Sequence, residues 1–250
     1  MELILKKLVA YITAGYPDKN LCIDVALALK ESGVDILELG VPFSDPVADG
    51  PIIEEANLKA LENGFKMEAL FDITKTISSK ICTYWMGYFN PFYHKGFDYI
   101  CAKAISSNAC GFIIPDLPFE EAKPYKKMAE NMGLNMISFI APTHSNERIE
   151  LISKEAMGFI YLVAYAGITG SGKEEDLSLV VREIKKHTST PIYIGFGVNE
   201  KTARQKSKNV DGVIVGSAFV KILLDNGLTG KEKIGKISTL ARDIKNMINE

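Results

Sequence analysis

Hydrophobic positions along the chain gather into short runs, separated by longer stretches with helical spacing. The runs lie at Val9–Ala14, Val34–Val41, Ile81–Tyr88, Gly111–Pro115, Met136–Ala141, Phe159–Ala164, Pro191–Phe196 and Gly212–Val215. Most carry Val, Ile, Tyr or Phe without clean alternation, the pattern of parallel strands covered on both faces. After Pro17-Asp18, a capping signal, Leu21, Val25, Ala28 and Leu29 recur at helical spacing as far as Gly33. Tyr125, Met128, Ala129 and Met132 do the same up to Gly133, with Met67, Met86 and Met128 expected as core filler. Ile234, Ile237, Ala241, Ile244 and Ile248 line one face of a last helix. Two helices fit between the second and third runs, one marked by Ile53, Ala56 and Ala60 and the next by Ala69–Ile77. Repeated strand–helix units in a chain of 250 residues predict an α/β fold, a single (β/α)8 TIM barrel domain over residues 1–250. An open doubly wound sheet is the alternative with the same strand count.

Composition narrows the function classes more than it names one. A net charge of −2 gives no electrostatic reason for nucleic acid or an anionic membrane as a partner, so an anionic ligand needs a local site. No apolar run reaches the ~20 residues of a membrane span. Lys6-Lys7 before an apolar run faintly imitates a signal peptide, but Thr13, Gly15 and Pro17 end that run early. A cytoplasmic location is the expectation. Cys22, Cys82, Cys101 and Cys110 have no metal-type spacing and read as small buried thiols in a reducing compartment; with His94, His144 and His187 far apart, no metal is expected.

Candidate chemistry concentrates at the ends of the apolar runs, the rim where a barrel keeps its active site. Glu38 sits inside the second run, sharing a face with Ile36 and Gly40 while Leu37 and Leu39 point the other way. Turned into the barrel, it has a pKa raised by desolvation, as a general acid/base near neutral pH requires. A structural glutamate bonded to a neighbouring strand's tyrosine or serine is the other reading. The loop that follows carries Asp45 and Asp49, either a partner for Glu38 or an aspartate bonding its own turn. Glycine-lined exits follow runs six, seven and eight: Ala166-Gly167-Ile168-Thr169-Gly170-Ser171-Gly172, Gly195-Phe196-Gly197 and Gly216-Ser217. Together they suit a phosphate, with Ser217 able to cap the helix Ala218–Asp225 and the sixth exit serving as a lid. Tyr161, on the sixth run, reads from its position alone as core.

The stretch Glu38-Leu39-Gly40-Val41-Pro42-Phe43-Ser44-Asp45-Pro46-Val47-Ala48-Asp49-Gly50-Pro51 resembles the signature of the tryptophan synthase alpha chain family. The likeness continues at Thr13-Ala14-Gly15, Tyr88-Phe89-Asn90-Pro91, Asp116-Leu117-Pro118, Ala166–Gly170, Gly195-Phe196-Gly197 and Val215-Gly216-Ser217-Ala218, nearly end to end. It implies a (β/α)8 lyase that splits indole-3-glycerol phosphate into indole and glyceraldehyde 3-phosphate. By motif position, Glu38 is implied as the acid/base and Asp49, over Asp45, as the group that holds the indole N–H. Gly170, Gly197, Gly216 and Ser217 are implied at the phosphate, Tyr161 and Thr169 beside the carboxylates, and Phe196 and Tyr88 around the indole. No cofactor is implied for this chain. A pyridoxal-phosphate beta chain is implied as partner in an αββα assembly, with Pro42–Asp45 and the loop after the sixth run responding to it. A stand-alone lyase releasing free indole, or a barrel that mainly activates its partner, are the alternatives. The sequence departs from the family pattern in a shortened N-terminal helix, in Tyr16 where aspartate is common, in Tyr165 at a variable lid position, and in the charged lid segment Gly170–Asp176.

Overall fold

All eight apolar runs become strands of one parallel sheet in the computed structural model, which describes residues 5–164 and 177–250. The first half of the chain runs β1 (Lys7–Thr13), α1 (Lys19–Glu31), β2 (Ile36–Gly40), α2 (Pro51–Glu62), α3 (Met67–Ile77), β3 (Cys82–Met86), α4 (Phe89–Lys95), α5 (Phe97–Ser106), β4 (Gly111–Ile113) and α6 (Phe119–Asn131). The second half runs β5 (Asn135–Met136), β6 (Ser138–Ile140), α7 (Asn146–Lys154), β7 (Ile160–Val163), α8 (Ser178–His187), β8 (Ile192–Gly195), α9 (Ala203–Lys206), β9 (Gly212–Val215), α10 (Ser217–Leu224) and α11 (Gly230–Met247). The sheet order is β5-β4-β3-β2-β1-β9-β8-β7-β6. β5 and β6 are the two ends of one strand, parted only by Ile137. β5 pairs with β4 and β6 with β7, so the sheet closes on itself as a (β/α)8 TIM barrel and not an open sheet.

Helix ends follow their local chemistry. Asp18 accepts from the backbone N–H groups of Asn20 and Leu21 at 2.9 Å and starts α1. Thr229 and Glu232 form a reciprocal capping box at the start of α11. Ser217 departs from the expected role: it is the first residue of α10, Gly216 holds the cap position, and no side chain caps that end.

Two apolar layers result from the alternation along each strand. Leu37 and Leu39 join Leu8, Ile12 and Trp85 in the large layer between strands and helices. Val9, Tyr84, Ile113, Phe159, Tyr161, Tyr193 and Ile214 fill the barrel interior. Two expectations are corrected here. Met128 and Met132 are exposed, because Lys126 and Ala129 take the inward positions of α6, the Lys126 ammonium bonding the Glu155 carbonyl. Cys82 and Cys110 are not free thiols; they form a disulfide with Cα atoms 5.9 Å apart, since β3 and the approach to β4 run side by side. Cys22 and Cys101 are free and buried as expected.

Candidate active site

Register places Glu38 on β2 between Tyr11 of β1 and Tyr84 of β3. Its residue is 2% exposed, and its Oε1 makes no hydrogen bond, so it is not held by a neighbouring tyrosine or serine at that oxygen. Leaving a charge there would be costly. Burial, followed by repulsion from Asp49, accordingly pushes its carboxyl from an ordinary 4.5 up to about 8.

Asp49 reaches the same mouth from the loop after β2. Asp49 N–H donates to the Pro46 carbonyl at 2.9 Å, and Gly50 and Pro51 then begin α2, with proline at the first helical position. The carboxylate is half-buried and accepts from Asn57 Nδ2 at 3.3 Å. Burial raises its pKa from 3.8 to about 6, against the opposing hydrogen bonds of Tyr88 and Asn57. Tyr88 also accepts from Ala48 N–H at 2.9 Å, which ties this loop to the exit of β3. Asp45 differs from Asp49: it is exposed and accepts from Ser44 Oγ at 2.5 Å. Near neutral pH the pair therefore holds one protonated acid, Glu38, and one carboxylate, Asp49.

Two tyrosines wall the pair, and each needs a glycine opposite. A Cβ on Gly40 would lie 2.1 Å from the Tyr11 hydroxyl, and one on Gly195 would lie 2.3 Å from that of Tyr161. Burial raises both phenols well above their ordinary range; the charges of Asp49 and Glu38 add to this at each. Both stay neutral and able to donate. Tyr161 stacks on Phe139 at 4.9 Å and meets the Phe196 ring edge-on at 6.1 Å, linking the exits of β7 and β8. Phe196 is 40% exposed, and both it and Gly197 have positive φ, 71° and 65°.

At the exit of β9, Gly216 has φ −120°, and a Cβ there would find only ordinary contact, 3.4 Å from Ile53 and Tyr11. Neither backbone conformation nor internal packing demands glycine, so its effect is to leave the start of α10 open. Ser217 is exposed beside it. Thr169, Gly170 and the whole expected lid lie outside the described residues.

Sequence reasoning missed Tyr11 and Asn57. Tyr11 shares a face with Val9 and Thr13, and only the pairing Tyr11↔Glu38 brings it to the carboxylates. Asn57 is a polar residue on the buried face of α2, one turn after Ile53; that was a readable signal. A surface cavity of about 730 Å³ between α4, α5 and α6 is lined by Asn90, Tyr93, His94, Phe97, Tyr125 and Met128 and touches neither carboxylate. Burial with an unpartnered oxygen makes the barrel mouth, and not that cavity, the candidate reactive site. Among the described residues no group of three or more His, Cys, Asp or Glu is disposed to hold a metal ion.

Known proteins repeat this architecture along the whole chain. The family model described as tryptophan synthase alpha chain matches residues 4–249. The tryptophan synthase alpha chain of Wolinella succinogenes is 58% identical over 248 residues, covering 99% of this chain and 97% of its own. The solved tryptophan synthase subunit alpha from Campylobacter jejuni superposes with a TM-score of 0.85 at 34% identity, covering 94% of this chain and 95% of that one. A chain of M. tuberculosis tryptophan synthase in an open form superposes with a TM-score of 0.87 at 29% identity, covering 98% and 94%. A family model matched over residues 4–249 and 58% identity to a relative over nearly the full length of both chains mean that this chain belongs to the tryptophan synthase alpha chain family.

Proposed function

We propose that Glu38 and Asp49 carry out the carbon–carbon lyase reaction of this family, cleavage of indole-3-glycerol phosphate to indole and glyceraldehyde 3-phosphate in tryptophan biosynthesis. The observation that supports the assignment is the buried Glu38 carboxyl, its Oε1 without a hydrogen bond, within electrostatic reach of the Asp49 carboxylate. The reaction needs a proton on indole C3 and the loss of one from the adjacent glycerol hydroxyl. Glu38, protonated near neutral pH, delivers its proton to C3. The C3–C1′ bond then breaks, its electron pair returning to the ring, while C1′ becomes the aldehyde carbon and the Glu38 carboxylate takes the hydroxyl proton. Atoms and charge balance, and Glu38 ends protonated as it began. Positive charge develops on the ring nitrogen when C3 is protonated, and Asp49 accepts the indole N–H and offsets that charge.

Tyr161 and Thr169 belong beside the pair in this reading, Phe196 and Tyr88 around the indole, and Gly170, Gly197, Gly216 and Ser217 at the phosphate. An open helix start with free N–H groups suits a dianion in a chain without a basic surplus. The working assembly is an αββα heterotetramer in the cytoplasm, in which a pyridoxal-phosphate beta chain takes up the indole; this chain needs no cofactor. The alpha-chain family and the likeness to M. tuberculosis tryptophan synthase support the partner, and no helix among the described residues is long and apolar enough to cross a membrane. The purified chain, given indole-3-glycerol phosphate, should release glyceraldehyde 3-phosphate, and faster with a beta chain present. No release in either case overturns the reading.

A further inference from the structure

The exit of β8 is held in a conformation that its aromatic residue does not favour. Phe196 is aromatic and not glycine, yet it adopts φ 71°, and Gly197 follows at φ 65°. Two side chains pin this turn from the same stretch of chain. Lys206 Nζ, at the end of α9, donates to the Phe196 carbonyl at 2.6 Å, and Thr202 Oγ1 donates to the Gly197 carbonyl at 2.7 Å. A trans peptide is planar, with its C=O and N–H pointing opposite ways. Drawing the Phe196 carbonyl toward Lys206 therefore aims the Gly197 N–H away from α9, on the side opposite the ammonium. That N–H has no acceptor among the described residues.

Lys206 is half-buried and makes no ion pair with a carboxylate among the described residues. Partial burial lowers its pKa, and the Phe196 carbonyl is the acceptor its ammonium meets. A cation on the carbonyl oxygen also polarises the peptide and strengthens its N–H as a donor. Nothing in the chemistry of a simple turn calls for a half-buried ammonium there.

We propose that Lys206 is a positioning residue for the phosphate end of the substrate, gripping the Phe196 carbonyl so that the Gly197 N–H is aimed and polarised toward the phosphate. This rests on the phosphorylated substrate assigned above. It goes further in giving the phosphate site a positive charge that acts through a peptide group, from a side chain that does not touch the ligand. The expected effect is selective for ligands that carry the phosphate.

The test compares wild type, Lys206→Met and Lys206→Arg in steady-state cleavage of indole-3-glycerol phosphate. It adds inhibition by 3-(indol-3-yl)propyl phosphate and by the corresponding unphosphorylated alcohol. Lys206→Met should raise KM and the inhibition constant of the phosphate ester by about tenfold, the worth of one charge-assisted contact, while kcat stays within about twofold. The alcohol should bind as it does to wild type, and Lys206→Arg, which keeps a cationic donor, should recover most of the loss. Equal weakening of ester and alcohol would mean that Lys206 only props the Phe196 ring, and unchanged constants would mean that it does nothing at the site. Either overturns the proposal. A wild-type protein that fails to cleave the substrate overturns instead the reading on which it rests.

Discussion

Replacing Glu38 by glutamine should make the protein more stable at alkaline pH, an unusual outcome for a change at a reactive residue. In the fold the Glu38 carboxyl titrates at about 8, against 4.5 for an ordinary glutamate. A raised pKa means that the folded state keeps its proton where the unfolded chain has already released it. Its contribution to stability is therefore fully present below 4.5 and is lost progressively as pH rises through about 8. At roughly 1.4 kcal/mol per pH unit, the whole span is worth on the order of 5 kcal/mol, and about 3 of these are already lost at neutral pH. Glutamine cannot ionise and escapes this loss, although its amide group adds a cost of about 1–2 kcal/mol where Oε1 has no partner. The two proteins should be similar near pH 5, or the variant slightly weaker, and the variant should lead by roughly 3 kcal/mol at about pH 9. Urea unfolding followed by Trp85 fluorescence measures this directly, since the chain has one tryptophan and it is fully buried. Parallel stability–pH curves for the two proteins would show that Glu38 ionises freely in the fold, and the acid role would fall with that.

The same pair sets the pH dependence of turnover. Wild-type kcat/KM should rise as Asp49 ionises through about 6 and fall as Glu38 loses its proton through about 8, giving a bell. Asp49→Asn should cost about 100-fold or more in kcat/KM and abolish the acid limb; a variant that keeps the limb would assign it to another group. Asn57→Ala removes a hydrogen bond that lowers the Asp49 pKa, so the acid limb should move to higher pH. A limb that stays in place would show Asn57 to be a packing residue only.

Much of this arrangement could be read from the residues because burial leaves simple marks. Strands covered on both faces are nearly continuous apolar runs, and one carboxylate among Ile36, Leu37 and Leu39 stands out because an apolar strand gives it no ordinary role. Strand alternation set Glu38 and the leucines on opposite faces, and the packing of Leu37 and Leu39 against the helices turns Glu38 inward. The two loop aspartates could not be told apart by local chemistry; the difference lies in Tyr88 and Asn57, which meet Asp49 only after the loop has folded back on β3 and α2. Tyr11 was hidden for a similar reason, since its relation to Glu38 is one of register between strands. The disulfide joins residues 28 apart in sequence through strand pairing, which spacing does not disclose. The inward face of α6 was misread because the aliphatic stem of Lys126 occupies a position where periodicity favours methionine.

The central claim is that Glu38 moves the proton that makes and breaks the bond at indole C3. Its most direct measurement is the rate of glyceraldehyde 3-phosphate release from indole-3-glycerol phosphate by Glu38→Gln, a substitution that preserves shape while removing the transferable proton. The account predicts a kcat lower by about 100- to 10,000-fold, with KM little changed. Turnover near the wild-type rate would contradict it.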